Sequence, residues 1–174
     1  MIKAISLFSC AGIGELMLDK LNISVIAANE LIEKRAAAYS KLHPQSEMII
    51  GDIRDNNVTK RILDYRKEKP EFLIATPPCQ GLSTVGKNKL DEHYSLDDRN
   101  FLIFDIISII KSFDFKYILI ENVPKYLEMY FPKDGEFIQL LDLLKLELGE
   151  KYNILGNVYN AKDYGVPQSR PRAI

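Results

Sequence analysis

The residue with the strongest claim to chemistry is Cys79, in the stretch Thr76-Pro77-Pro78-Cys79-Gln80-Gly81-Leu82-Ser83. The apolar run before it, Phe72-Leu73-Ile74-Ala75, reads as a buried strand. Pro77 and Pro78 fix the backbone dihedrals just past the strand end, so the thiol sits on a stiff turn. In an open parallel α/β sheet, ligands bind beyond the carboxyl ends of the strands. A thiol that only filled a core would need no such flanks. Cys79 is therefore read as a nucleophile.

Carboxylates follow strand-like runs in the same way at Glu30, Asp52 and Glu121. Glu30 ends the run Ser24–Ala28, Asn29. It is placed to take both hydroxyls of a ribose, or else to serve as a carboxylate at a helix N-terminus. Asp52 follows Glu47–Ile50. It is placed to accept from an adenine amino group with Ile53 on the ring, or else to cap a helix or close an Asx turn. Glu121 follows Tyr117–Ile120 and leads into Asn122-Val123-Pro124, where its carboxylate would face Cys79 across the sheet edge. A glycine turn, Ser9-Cys10-Ala11-Gly12-Ile13-Gly14-Glu15, follows a first strand at Lys3–Phe8. Gly12 and Gly14 allow a tight turn and close approach of a ligand, but Met17 stands where a dinucleotide fingerprint has its third glycine. Cys10 is read as a small packing residue.

The elements that must position these groups alternate. Helices are expected over Leu16–Leu21 and over Leu31–Leu42, the latter stopped by His43-Pro44 with His43 at the surface. Others are expected over about Val58–Lys67, over Asn100–Phe113, and over Gly135–Leu148 with Asp134 as cap and Gly149 as stop. A further strand is expected at Tyr152–Tyr159, and the sequence reaches its last residue as a seventh would begin. Alternation of this kind makes one α/β unit with a mainly parallel sheet. The polar run Val85–Asp98 is long enough to be a functional loop, and His93 within it is given no catalytic part.

Composition narrows the classes. A chain of 174 residues, 47% of them apolar, fits one domain with a sizeable core. No apolar run reaches the ~18 residues of a membrane span. Two cysteines do not make a disulfide framework, so a reducing interior is expected. A net charge of −1 argues against a segment that grips nucleic acid over its whole surface.

Taken together and in order, the motifs resemble those of the cytosine-C5 DNA methyltransferases, over essentially the whole chain. Leu7-Phe8-Ser9-Cys10-Ala11-Gly12-Ile13-Gly14 resembles the family's first cofactor motif, and Glu30 and Asp52 fall where its ribose and adenine acids fall. Pro77-Pro78-Cys79-Gln80-Gly81-Leu82-Ser83 resembles the catalytic loop, Glu121-Asn122-Val123 the base-recognition triplet, and Gln168-Ser169-Arg170-Pro171-Arg172 the Gln-x-Arg-x-Arg motif.

The resemblance implies a Rossmann-like fold dependent on S-adenosylmethionine, which leaves as S-adenosylhomocysteine. The cofactor would lie on Phe8, Ser9, Cys10, Ala11, Gly12, Ile13, Gly14, Glu30, Asp52, Ile53, Pro77 and Leu102. Cys79 would add to cytosine C6, making an enamine whose C5 attacks a methyl sulfonium. Glu121 would hold N3 and the exocyclic amine, Arg172 the O2 where charge builds, and Arg170 would assist near the thiolate. Pro78, Gln80, Ser83, Asn122, Val123 and Gln168 would complete the substrate contacts. No metal is implied. The target base must leave the duplex stack, and the loop Ser83–Arg99 is the candidate to close over it, with Lys87, Lys89 and Arg99 near phosphates. Double-stranded DNA is thus the expected partner, in a bacterial cytoplasm at the nucleoid.

Members of the family continue through the rest of a seventh strand, a target-recognition domain and a final helix. The expectation is therefore a partial catalytic domain over residues 1–174, incomplete at its C-terminal end. It would be a fragment or one subunit of a split enzyme, weakly active or inactive without a second polypeptide. Two other readings share these residues: a transfer-RNA cytosine-C5 methyltransferase, and a cofactor-binding subunit without turnover. A nicotinamide oxidoreductase would leave Cys79 and both arginines unexplained.

Overall fold

The computed structural model describes residues 1–78 and 98–174. Cys79, Gln80, Ser83, Lys87, Lys89 and His93 lie outside the described residues. The described residues fall into two compact units, one within Met1–Thr76 and Ser108–Ile120, the other within Pro77–Ile107 and Glu121–Ile174.

The first unit is an open five-stranded parallel sheet. Its strands are β1 (Ile2–Leu7), β2 (Ile23–Glu30), β3 (Glu47–Ile50), β4 (Phe72–Ala75) and β5 (Tyr117–Ile120), in the order β3-β2-β1-β4-β5. The apolar runs that predicted strands are buried as such a sheet requires: Ile5, Leu7, Leu73 and Ala75 are each at most 1% exposed. Register brings Leu7 level with Asn29 and Ala75, and Ala75 level with Ile120. The carboxyl ends of β1, β2, β4 and β5 therefore form one edge. The strand order reverses direction between β1 and β4, the point at which such sheets open a ligand crevice. Among the described residues β5 pairs with β4 alone, and its Tyr117 is 58% exposed.

Helix α1 (Glu33–Leu42) packs its Tyr39 with Ala4, Val25 and Ala28 in a buried cluster flanked by Leu18, Ile23, Met48 and Phe72. Helix α2 (Asn56–Leu63) starts earlier than its apolar spacing suggests, because the Asp55 carboxylate accepts from the Asn57 amide at 2.7 Å. The expected helix at Leu16–Leu21 is replaced by two 3-10 turns, Ile13–Glu15 and Asp19–Leu21. Glu15 turns inward onto Ser6 and Tyr39, leaving Leu16, Met17 and Leu21 exposed.

Helix α3 (Leu102–Ser112) has Leu102, Ile103, Ile106, Ile107, Ile109 and Ile110 buried, as its all-round apolar sequence requires.

In the second unit the helix expected over Gly135–Leu148 starts late. Strands β6 (Tyr130–Lys133) and β7 (Glu136–Gln139) form a hairpin, and only Leu140–Leu148 is helical, as α4. Asp134 and Gly135 both have positive φ, 52° and 84°, the requirement of a two-residue hairpin turn that Asp-Gly satisfies. Asp134 is thus a turn residue and not a helix cap. The strand expected at Tyr152–Tyr159 is reduced to β8 (Val158–Asn160), which pairs antiparallel with β9 (Pro171–Ala173) outside the parallel sheet. Gly156 precedes it where a Cβ would come within 2.7 Å of a Leu141 methyl.

Candidate active site

In the first unit the glycine turn leaves β1 with positive φ at Phe8 (58°), Cys10 (53°) and Gly12 (74°). Three left-handed residues so close together fold the backbone tightly at the sheet edge, and neighbouring side chains hold it there. The Ser9 amide and hydroxyl both donate to the Asn29 carbonyl, at 3.0 and 3.1 Å. The Cys10 amide donates to Glu30 Oε2 at 2.9 Å, and the Ile32 amide to Glu30 Oε1 at 2.8 Å. Just past β4, the Thr76 hydroxyl donates to the Phe8 carbonyl at 2.9 Å.

Glu30 thus does what one of the two sequence readings asked. It accepts an amide at the start of the following helix, and it straps the turn to β2. Each of its carboxylate oxygens has a second lone pair that can accept a ribose hydroxyl. Cys10 is exposed, a correction to its reading as a packing residue: a left-handed φ turns this side chain away from the core. Asp52 closes the Asx turn to the Arg54 amide (2.9 Å) and pairs with the Arg54 guanidinium at 2.6 Å. Hydrogen bonding by Arg54 holds the Asp52 carboxyl below its usual range. Ile53 beside it is buried.

Asn29 has no place in the sequence reading. Its side-chain amide donates to the carbonyls of Ile49 (2.9 Å) and Gly51 (3.1 Å), tying the end of β2 to the approach to Asp52. The signal was available: a polar amide directly before Glu30, at a position the apolar strand pattern marks as interior.

A second set of unexpected residues supports the turn from beneath. Glu15 accepts from the Ser6 hydroxyl (2.5 Å) and the Tyr39 hydroxyl (2.6 Å), and His43 Nε2 lies 2.9 Å from the Gly12 carbonyl. Burial pushes the Glu15 carboxyl above the usual range, against those hydrogen bonds. Burial and then the Glu15 charge push the Tyr39 phenol upward. His43 is only 6% exposed, which corrects its assignment to the surface. Its place just past the end of α1 directs the ring back under the turn.

In the second unit one buried residue, Asn122, brings Glu121 and Arg172 together. The Asn122 side chain is 3% exposed. Its Nδ2 donates to the Pro77 carbonyl at 3.0 Å, and its Oδ1 accepts from the Val123 amide at 2.8 Å. Its backbone exchanges two hydrogen bonds with Ala173, at 3.1 and 2.9 Å. This isolated bridge carries Arg172 to Glu121, Nε to Oε1 at 2.8 Å. Asn160, also unread in the sequence, accepts the Arg170 amide at 2.9 Å and bonds Ser169, so it shapes the segment bearing Gln168 and Arg170. Gln168 and Arg170 are exposed, while Leu102 and Pro77 are buried.

This carboxylate and guanidinium side by side offer an acceptor and planar donors, the set needed to hold the edge of a base that presents an amine and a carbonyl oxygen. The first unit offers the Glu30 carboxylate bonded to a tight turn, with acceptor capacity left over for a hydroxyl pair. Among the described residues no helix is long and apolar enough to cross a membrane.

The model of the family described as C-5 cytosine-specific DNA methylase matches residues 2–174. The chain is similar to type II methyltransferase M1.HgaI of Avibacterium volantium, 45% identical over 99% of this chain and 49% of that protein. It is also similar to M.NgoPII of Neisseria gonorrhoeae, 36% identical over 98% of this chain and 46% of that protein. The fold is similar to part of the S. pombe Dnmt2 methyltransferase, with a TM-score of 0.71 at 21% identity over 99% of this chain and 48% of that one. The chain spans about half the length of the curated relatives it matches.

Proposed function

This chain belongs to the C-5 cytosine-specific DNA methylase family, and from that premise we propose that it is the catalytic part of a DNA (cytosine-5-)-methyltransferase using S-adenosylmethionine. The observation that carries the proposal is the Glu121–Arg172 pair, joined through Asn122 to the carbonyl of Pro77, two residues before Cys79.

The turn Phe8–Gly14 with Glu30 and Asp52 would hold the cofactor, Glu30 at the ribose and Asp52 at the adenine amino group. When bound, the cofactor supplies an electrophilic methyl group. The chain's own part is to raise the nucleophilicity of cytosine C5. The Cys79 thiolate adds to C6, and the electron pair displaced from the C5–C6 bond becomes available at C5. A proton shared between Glu121 and N3 and a donor from Arg172 to O2 hold the charge pushed into the ring, while the other Glu121 oxygen accepts from the exocyclic amine. After C5 is methylated, a base removes its proton and the returning electrons expel Cys79. Arg170, Asn122, Val123, Gln168, Pro78, Gln80 and Ser83 orient the flipped nucleotide.

Double-stranded DNA is the substrate in this reading. Recognition of its sequence is assigned to polypeptide outside these residues, a further segment or a second chain, because the relatives are about twice as long. Their designation as type II methyltransferases supports a restriction-modification role in a bacterial cytoplasm.

The test is covalent trapping. With S-adenosylmethionine and DNA carrying 5-fluorocytosine, the protein together with the polypeptide that reads its site should form an adduct that survives denaturation. Cys79→Ser should form none. An adduct of equal yield from Cys79→Ser would overturn the assignment, and preferential labelling of transfer RNA would move the substrate to RNA.

A further inference from the structure

The motifs account for the glycine turn but leave Glu15, Tyr39 and His43 without a task. All three are buried, at 7%, 0% and 6% exposure. A buried carboxylate and imidazole are costly where apolar side chains would pack as well, unless their hydrogen bonds hold something in place. Here the contacts form a continuous chain. Ser6 on β1 donates to Glu15 Oε1, and Tyr39 on α1 donates to Glu15 Oε2. The ring of His43 lies 4.5 Å from that of Tyr39, tilted by 32°. His43 Nε2 then reaches the Gly12 carbonyl. A carbonyl only accepts, so Nε2 carries the hydrogen. The same carbonyl also accepts the Glu15 amide at 3.1 Å. Two donors from this brace therefore fix the Gly12 peptide, whose φ of 74° is left-handed.

The turn is thus held at both ends. Glu30 holds the Cys10 amide from one side, and Glu15 with His43 holds the Gly12 carbonyl from the other. We propose that Tyr39 and His43 are positioning residues for the adenosyl cofactor: through Glu15 and Gly12 they set the shape of the turn on which it lies, and hence its affinity. This rests on the cofactor reading above.

The experiment is calorimetric titration of S-adenosylhomocysteine into the wild-type protein, Tyr39→Phe, His43→Leu and His43→Gln, each with a thermal melt. Loss of one buried hydrogen bond should weaken binding about tenfold in His43→Leu and several-fold in Tyr39→Phe. In His43→Gln the side-chain amide can still donate to Gly12, so its affinity should return to within about threefold of wild type. A residue that only packs would lower the melting temperature and leave the affinity of the folded protein unchanged. That result in Tyr39→Phe and His43→Leu overturns the proposal. If His43→Leu does not fold, Tyr39→Phe decides, because it keeps the ring and loses only the hydroxyl. Wild-type protein that binds no S-adenosylhomocysteine would overturn the cofactor reading and this inference together. Wild-type binding matched by every variant overturns this inference alone.

Discussion

Glu121 and Arg172 are joined by an ion pair of 2.8 Å although they lie far apart in the chain. Each stands one residue before a partner in the same backbone bridge, Asn122 and Ala173. The bridge therefore sets the spacing of the charges, and the two long side chains need little further ordering. Both are about one-quarter exposed, which leaves the pair reachable by a substrate.

Arg172→Ala should lower kcat by about 10²–10³, the usual cost of losing one donor to developing charge. Arg172→Lys should recover little, because an ammonium group lacks the planar fork. Single-turnover methylation measured beside circular dichroism checks this. Near-wild-type turnover in Arg172→Lys would show that charge alone suffices.

Asn122→Ala removes the donor to Pro77 and the acceptor for the Val123 amide in a site only 3% exposed. Leaving buried groups unpaired costs about 1–3 kcal/mol each. With two groups unpaired, urea unfolding should show a loss of about 2–6 kcal/mol. An unchanged midpoint would mean that water replaces both bonds.

Gly12→Ala faces two obstacles. Its φ of 74° strains any L side chain, and a Cβ would overlap the His43 ring and lie 2.8 Å from Tyr39 Cδ2. The variant should melt lower and bind S-adenosylhomocysteine more weakly. His43→Ala added to Gly12→Ala should restore part of the melting temperature, since it relieves the overlap and not the φ strain.

Asp52 makes a prediction in pH. Its folded-state pKa lies below the usual 3.8, chiefly through its hydrogen bonds from Arg54. A depressed carboxylate adds stability that is present above the ordinary value and is lost as pH falls through the depressed one. Arg54→Ala should move the Asp52 titration, followed by carboxyl carbon NMR, up toward the ordinary value. The matching change in acid stability should be small, because both side chains are about one-third or more exposed and solvent screens them. An unmoved midpoint would leave the Arg54 contact without electrostatic effect.

The parallel sheet was legible because its strands are continuous apolar runs, and only a strand buried on both faces needs Leu73-Ile74-Ala75 without a polar break. The places of Glu30 and Asp52 were legible because an acid one residue beyond such a run falls at the sheet's carboxyl edge. The hairpin at Tyr130–Gln139 was missed although Asp134-Gly135 signalled it, since the leucines of α4 dominated the period of the whole stretch. The short pairing of Val158–Asn160 with Pro171–Ala173 left no signal, because strands of three residues are too short to show an alternation.

By itself the sequence determined the order of the motifs and the parallel sheet at whose carboxyl edge they fall. These depend on residue type and on neighbours along the chain. Only the tertiary structure decided that Arg172 meets Glu121, that Asn122 reaches the Pro77 carbonyl, and that His43 turns inward beneath Gly12. Each of these is a hydrogen bond between segments distant in the chain, and such partners are chosen by the packing of whole elements and not by local residue preference.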